Sequence, residues 1–209
     1  MKLKICGMKY SNNILEVSKL EPDYMGFIFW DKSQRYCTDV IPDIASSIQK
    51  VGVFVDASLE EIISKIKEYD LNLIQLHGKE SVAFCNELRT HNILIIKAFS
   101  IDTDFDFNVL NEYESTCDYF LFDTKGKLPG GNGIAFDWSI LDNYNSNKPF
   151  FLSGGIGLDD VLKIKDFQCS MLSKNCIAID VNSKFETAPG VKKINELIEF
   201  KKMLYENEL

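Results

Sequence analysis

Eight short runs rich in β-branched and aromatic residues, at 2–8, 24–30, 51–56, 71–78, 93–100, 118–124, 149–155 and 176–183, alternate along the chain with eight amphipathic stretches. The runs are almost continuously apolar, Leu71-Asn72-Leu73-Ile74-Gln75-Leu76 being typical, as parallel strands covered on both faces require. The stretches between them, at 12–20, 40–49, 59–69, 82–91, 107–114, 138–144, 158–167 and 191–205, carry apolar residues largely at helical spacing, as in Ile62, Ile63, Ile66 and Tyr69. One strand, one helix and their loops take about 25 residues, so a chain of 209 holds about eight such units. Strict alternation selects α/β architecture. The pattern predicts one (βα)8 TIM-barrel domain over 1–209, with an open doubly wound sheet as the rival; no GxGxxG or Walker sequence supports that rival. Because 107–114 and 138–144 are short, frayed or missing helices are expected there.

Composition narrows the function classes. A net charge of −8, without a cluster of five or more Lys or Arg, lacks the footprint of a nucleic-acid binder. The start, Met1-Lys2-Leu3-Lys4-Ile5, has no apolar stretch followed by a small-residue cleavage site, and no run of about 20 apolar residues occurs elsewhere. The expectation is a soluble, cytoplasmic protein that acts on a small molecule, with monomer and homodimer both open. Cysteines stand at 6, 37, 85, 117, 169 and 176, with no Cys-x-x-Cys pair and no His-x3-His partner. Neither zinc ligation nor a disulfide framework is indicated, and reduced, mostly buried thiols are expected.

In a (βα)8 barrel, polar residues at the C-terminal ends of strands face the active-site mouth. Those positions hold Cys6, Asp56, His77, Asp123, Gly154-Gly155, and Asp180 with Asn182-Ser183. Gly154-Gly155 and the 180–183 segment follow strands 7 and 8, whose loops commonly cradle phosphate. Glycine lets the backbone approach phosphate oxygens, and amide groups opening the next helix favour the anion despite the overall acidic charge. Gly130-Gly131-Asn132-Gly133 reads as a flexible loop or a substrate-closing lid.

Taken together these residues make the chain resemble the phosphoribosylanthranilate isomerases of tryptophan biosynthesis. The resemblance rests on ordered matches: Lys4-Ile5-Cys6-Gly7-Met8, Gly26-Phe27-Ile28-Phe29 with Ser33-Gln34-Arg35-Tyr36, Val51-Gly52-Val53-Phe54-Val55, Gln75-Leu76-His77-Gly78, Phe122-Asp123, Phe136-Asp137-Trp138, Leu152-Ser153-Gly154-Gly155 and Asp180-Val181. It implies a small barrel that uses no metal or organic cofactor and carries out an Amadori rearrangement of N-(5-phosphoribosyl)anthranilate. It further implies that Cys6 is the general base and Asp123 the general acid. Arg35 would meet the anthranilate carboxylate, Gly154, Gly155 and Ser183 the phosphate, and His77 and Asp180 would be secondary pocket residues. The chain departs from the pattern at Lys184-Phe185, where glycine then valine is usual, and at Lys193, where an acidic residue is usual. It departs also at Asn132, where threonine is usual, and at Gly157-Leu158-Asp159-Asp160, which lacks the usual proline.

The residue types suit the chemistry. Opening a ribose ring needs an acid at the leaving oxygen, and forming the enolamine needs a base at the neighbouring carbon. Cys6 and Asp123 end strands 1 and 6, on different sides of the predicted mouth. A different phosphosugar isomerase or epimerase would use the same cradle, but Arg35 suits a carboxylated aromatic substrate better than a plain pentose phosphate. A silent binding domain would not need both Cys6 and Asp123. Tyr10, Trp30 and Phe99 are candidates to stack on an aromatic ring, with core or rim packing the plainer reading. His91 and Asp56 fit solvated positions, and Asp137-Trp138 an N-cap followed by a core aromatic.

Overall fold

The computed structural model describes residues 1–124 and 138–206. The strands β1 (Lys2–Met8), β2 (Tyr24–Ile28), β3 (Gln49–Phe54), β4 (Leu73–Leu76), β5 (Leu94–Ile101), β6 (Tyr119–Thr124), β7 (Phe150–Leu152) and β8 (Cys176–Val181) close into one parallel barrel in sequence order. Closure is made by β1, whose Lys4 lies opposite Tyr24 of β2 on one side and Asp180 of β8 on the other. Around the barrel run α1 (Ser11–Ser18), α2 (Leu59–Tyr69), α3 (Val82–Arg89), α4 (Leu110–Tyr113), α5 (Val161–Gln168) and α6 (Ile194–Tyr205). A two-stranded antiparallel pair, β9 (Glu186–Ala188) with β10 (Val191–Lys192), lies between β8 and α6. Ser58 and Ser81 cap α2 and α3 by accepting from the amides of Glu61 and Phe84, which satisfies donors the first turn leaves unpaired.

All eight predicted strands form, within a few residues of their expected ends. The expected helix at 40–49 does not: the backbone there is irregular with one turn, Val40 is exposed, Ile41 and Ile44 pack partly against the core and Ile48 is buried in it. Proline is tolerated only in a first helical turn. From Pro42 to the exposed Ser46-Ser47 pair too few residues remain to overcome helix nucleation. As expected from their lengths, 107–114 and 138–144 are weak: the first is a single 3-10 turn leading into the four-residue α4, and the second is 3-10 throughout.

Two layers of burial follow from the period-2 alternation of the strands. Outward-facing residues such as Ile5, Phe54, Ile74, Phe120, Phe122 and Phe150 pack under the helices. Inward-facing Tyr24, Val51, Leu73, Ile96, Leu121, Phe151 and Ala178 fill the barrel interior. Two residues further along the strands the inward positions turn polar, with Gln75, Asp123 and Asp180, and Lys4 opposite Asp180, all buried. The apolar layer is thus the floor of a polar chamber.

Candidate active site

At the C-terminal mouth of the barrel an open cavity is lined by Cys6, Arg35, His77, Asp123, Gly155, Asp180 and Ser183 together with Trp30, Gln75, Ser153, Asn182 and Lys184. The fold therefore gathers into one space seven of the eight residues expected at the site. The eighth, Gly154, stands behind it: its φ is +102°, and a Cβ there would lie 2.9 Å from the Thr124 amide nitrogen. Gly154 lets β7 pass close to the end of β6, while Gly155, with φ of +65°, faces the cavity. Gly26 plays a similar spacing part beneath Cys6, since a Cβ on it would come within 2.6 Å of Cys6 Sγ.

A chain of buried polar contacts crosses the chamber floor. Lys4 Nζ donates to Asp180 Oδ2 at 2.9 Å and to Gln75 Oε1 at 2.9 Å. The Gln75 amide nitrogen lies 2.8 Å from His77 Nδ1, and His77 Nε2 is 3.4 Å from Asp123 Oδ2. Asp123 Oδ1 accepts from the Thr124 amide at 2.9 Å. Lys4 is fully buried, yet the Asp180 carboxylate and the Cys6 sulfur outweigh the cost of burial and hold its ammonium above the usual lysine range. Burial pushes the Cys6 thiol up; Lys4 pulls against that, Asp180 reinforces it, and Lys192 pulls down again. Two buried polar atoms in the chamber, His77 Nε2 and Asp180 Oδ1, have no hydrogen-bond partner. Such atoms are costly to leave unmet, and both sit where a hydroxylated ligand could satisfy them.

Arg35 enters the cavity from the loop after β2, already engaged. Its Nε and Nη2 donate to the Glu186 carboxylate at 2.7–3.0 Å. Glu186 also accepts from Lys192 Nζ at 2.8 Å and the Gly190 amide at 3.1 Å. Burial works against the Glu186 charge, but Arg35 and Lys192 hold the carboxyl below its ordinary range. Lys192 in turn donates to Asn182 Oδ1 at 2.7 Å, so the β9–β10 pair ties Arg35 to the loop after β8.

Lys4, Gln75, Glu186 and Lys192 stand at the site without being among the residues expected there. A signal for the first two was present: Lys4 is two residues before Cys6, and Gln75 two before His77, so each shares its neighbour's inward face. Of the three aromatic candidates only Trp30 lines the cavity. Tyr10 is largely exposed, and Phe99 packs edge-on against Phe105, Tyr113 and Phe120. Asp56 is not merely solvated, because its carboxylate accepts from the Lys79 amide at 2.6 Å. Trp138 is a core aromatic as expected. Lys184 is exposed at the cavity rim, Phe185 is buried against Phe200, and Lys193 pairs with Glu196. The 130–133 loop, Phe136 and Asp137 lie outside the described residues.

Among the described residues no group of three or more His, Cys, Asp or Glu could hold a metal ion, no helix is long and apolar enough to cross a membrane, and the cysteines are free thiols. The family model for N-(5'-phosphoribosyl)anthranilate (PRA) isomerase matches residues 3–203. The chain is 41% identical to an N-(5'-phosphoribosyl)anthranilate isomerase of Parabacteroides distasonis, over 96% of this chain and 91% of that one. It is 35% identical to the enzyme of the same name from Campylobacter jejuni, over 98% of both. Among solved structures, phosphoribosyl anthranilate isomerase from Thermotoga maritima superposes with a TM-score of 0.81 at 28% identity, covering 99% of each chain. Another, with a TM-score of 0.79 at 28% identity and the same coverage, is a phosphoribosyl anthranilate isomerase in complex with reduced 1-(o-carboxyphenylamino)-1-deoxyribulose 5-phosphate. By sequence over nearly its whole length, and by a closed barrel with its polar chamber at the C-terminal mouth, the chain belongs to the N-(5'-phosphoribosyl)anthranilate isomerase family of tryptophan biosynthesis.

Proposed function

We propose that this cavity converts N-(5-phosphoribosyl)anthranilate to 1-(2-carboxyphenylamino)-1-deoxyribulose 5-phosphate by an Amadori rearrangement, with Asp123 as general acid and Cys6 as general base. The observation that carries the reading is the placement of Cys6 and Asp123 on β1 and β6, on different sides of one closed barrel, lining the same cavity. Asp123 gives its proton to the ribose ring oxygen as the bond from that oxygen to C1 breaks and the nitrogen lone pair forms a C=N bond. The Cys6 thiolate takes the proton from C2, the electron pair left behind forms the C1=C2 bond of the enolamine, and the C=N π pair returns to nitrogen as its lone pair. Tautomerisation to the ketone puts a proton on C1 and takes one from the C2 hydroxyl, so the reaction is an isomerisation in which only protons move between groups.

The remaining residues supply positioning. Gly155 and Ser183, from the loops after β7 and β8, meet the phosphate through backbone amides, with Lys184 at the rim. Arg35 faces the anthranilate carboxylate with the donors Glu186 leaves free, beside Trp30. His77 Nε2 and Asp180 Oδ1, the two unmet polar atoms, receive the sugar hydroxyls. The test is loss of anthranilate fluorescence when enzymatically generated phosphoribosylanthranilate is added, with Cys6→Ala as control. Rapid loss with the native chain and none above background with the variant is the expected result; no turnover by the native chain would sink the reading.

A further inference from the structure

Lys4 is fully buried, and the reaction as written does not use it. It stands two residues before Cys6 on β1, so both side chains point into the barrel. Its Nζ donates to Asp180 Oδ2 and Gln75 Oε1, each at 2.9 Å, and Cys6, two residues further along the same inward face, lines the cavity above it. An ammonium has no acceptor lone pair, so the Gln75 atom facing it must be the amide oxygen. The NH2 of Gln75 is then the group 2.8 Å from His77 Nδ1, which leaves Nδ1 as acceptor. A neutral imidazole accepting at Nδ1 carries its proton on Nε2, the atom 3.4 Å from Asp123.

We propose that Lys4 is a positioning residue for the base: its ammonium is the counter-cation of the Cys6 thiolate and, through Gln75, it fixes the His77 proton on Nε2, the atom left open to the sugar. This rests on Cys6 and Asp123 being base and acid, and it explains how a buried thiol can serve as a base. Cys6 faces Lys4 from its own strand, Asp180 from β8 and Lys192 from β10. Each lysine is paired with a carboxylate, Lys4 with Asp180 and Lys192 with Glu186; Lys4 is the one on the same strand and the same inward face as Cys6.

The proposal makes opposite sign predictions for two partners in one ion pair, which a purely structural role would not. The rate of iodoacetamide modification at Cys6, followed on its peptide by mass spectrometry across pH in the ligand-free chain, reports thiolate formation independently of substrate. Lys4→Met should move the midpoint of that profile, and the acidic limb of kcat/KM, upward by about one pH unit or more. Asp180→Asn should move the modification midpoint downward. The double variant, which leaves neither charge unpaired if a single variant folds poorly, should still lie above the native midpoint, though by less than Lys4→Met. Shifts in the same direction for both single variants, or none in the double variant, would overturn the role at Cys6. The second half needs no substitution. With only two histidines in the chain, nitrogen NMR of the imidazoles should show His77 as the Nε2–H tautomer in the native chain. Observation of Nδ1–H at His77 would overturn that half. Absence of turnover in the native chain with the modification shifts intact would remove the proposed reaction and leave the Lys4 assignment to Cys6 standing.

Discussion

Arg35 reaches the cavity with Nε and one terminal nitrogen already bound to Glu186. The fork is therefore aimed before any substrate arrives, and a substrate carboxylate meets its remaining donors. Charge-assisted hydrogen bonds of this kind contribute about 1.5–3 kcal/mol, so Arg35→Ala should raise KM about tenfold or more while kcat changes little. Arg35→Lys should not restore affinity, because an ammonium cannot hold Glu186 and a second carboxylate in one plane. Steady-state kinetics of the two variants check both statements, and an unchanged KM would remove the contact. At the acid and base the expectation differs: Cys6→Ala and Asp123→Asn should each lower kcat by about 10²–10⁴ with the fold retained. Thiolate formation also sets a sign on pH. Because burial holds the Cys6 thiol above its ordinary range, kcat/KM should rise with pH toward alkaline values as the base form appears, and a profile that falls from neutrality upward would contradict Cys6 as base. Cys6, His77, Asp123 and Asp180 were legible in the sequence because each is a polar group at the end of an apolar run. Lys4 and Gln75 carry a fainter signal, their two-residue spacing from Cys6 and His77; what they pair with is decided only when the sheet closes and brings β1, β4 and β8 together.

At the scale of the element, strands were easier to read than helices because a barrel strand is buried on both sides and must be apolar along its length. Helical spacing at 40–49 was a weaker warrant. Val40, Ile41, Ile44 and Ile48 fit one helix face, but Pro42 limits how far a helix can extend before it and two serines weaken it after. Glycine at 154, expected to meet the phosphate, carries a further constraint: its backbone is left-handed and a Cβ on it would press on Thr124. Gly154→Ala keeps the amide N–H but places a methyl against Thr124, whose own amide donates to Asp123. It should lower kcat about tenfold or more by displacing the acid, since small misplacements of a catalytic group are costly. Inhibition by inorganic phosphate, measured alongside, should change far less. A phosphate affinity that falls as steeply as kcat would return Gly154 to the cradle.

For the whole molecule, the number of βα units follows from length and periodicity, but which clamps hold the mouth open does not, because those contacts join residues far apart in the chain. Lys97 and Glu80 are such a clamp. Lys97 lies on β5 and is 3% exposed; its Nζ donates to Glu80 Oε2 at 3.0 Å and to the Gly78 carbonyl at 2.8 Å. Glu80 accepts from the amides of Asp56 and Gly78. The ends of β3, β4 and β5 are thereby tied together behind His77, outside the cavity. Removing one member of a buried ion pair costs about 3–5 kcal/mol because the other charge is left without its partner. Lys97→Met should lose stability on that order, since Glu80 would keep only backbone donors. Adding Glu80→Gln removes the stranded charge while preserving an acceptor for both amides, so the double variant should be more stable than Lys97→Met by about 1 kcal/mol or more. Reversible urea unfolding of the native chain, both single variants and the double variant measures the coupling; costs that simply add would show that the two side chains act independently. Because the clamp holds the loop that carries His77, Lys97→Met should also lower kcat, and the double variant should recover part of it, although neither residue touches the substrate.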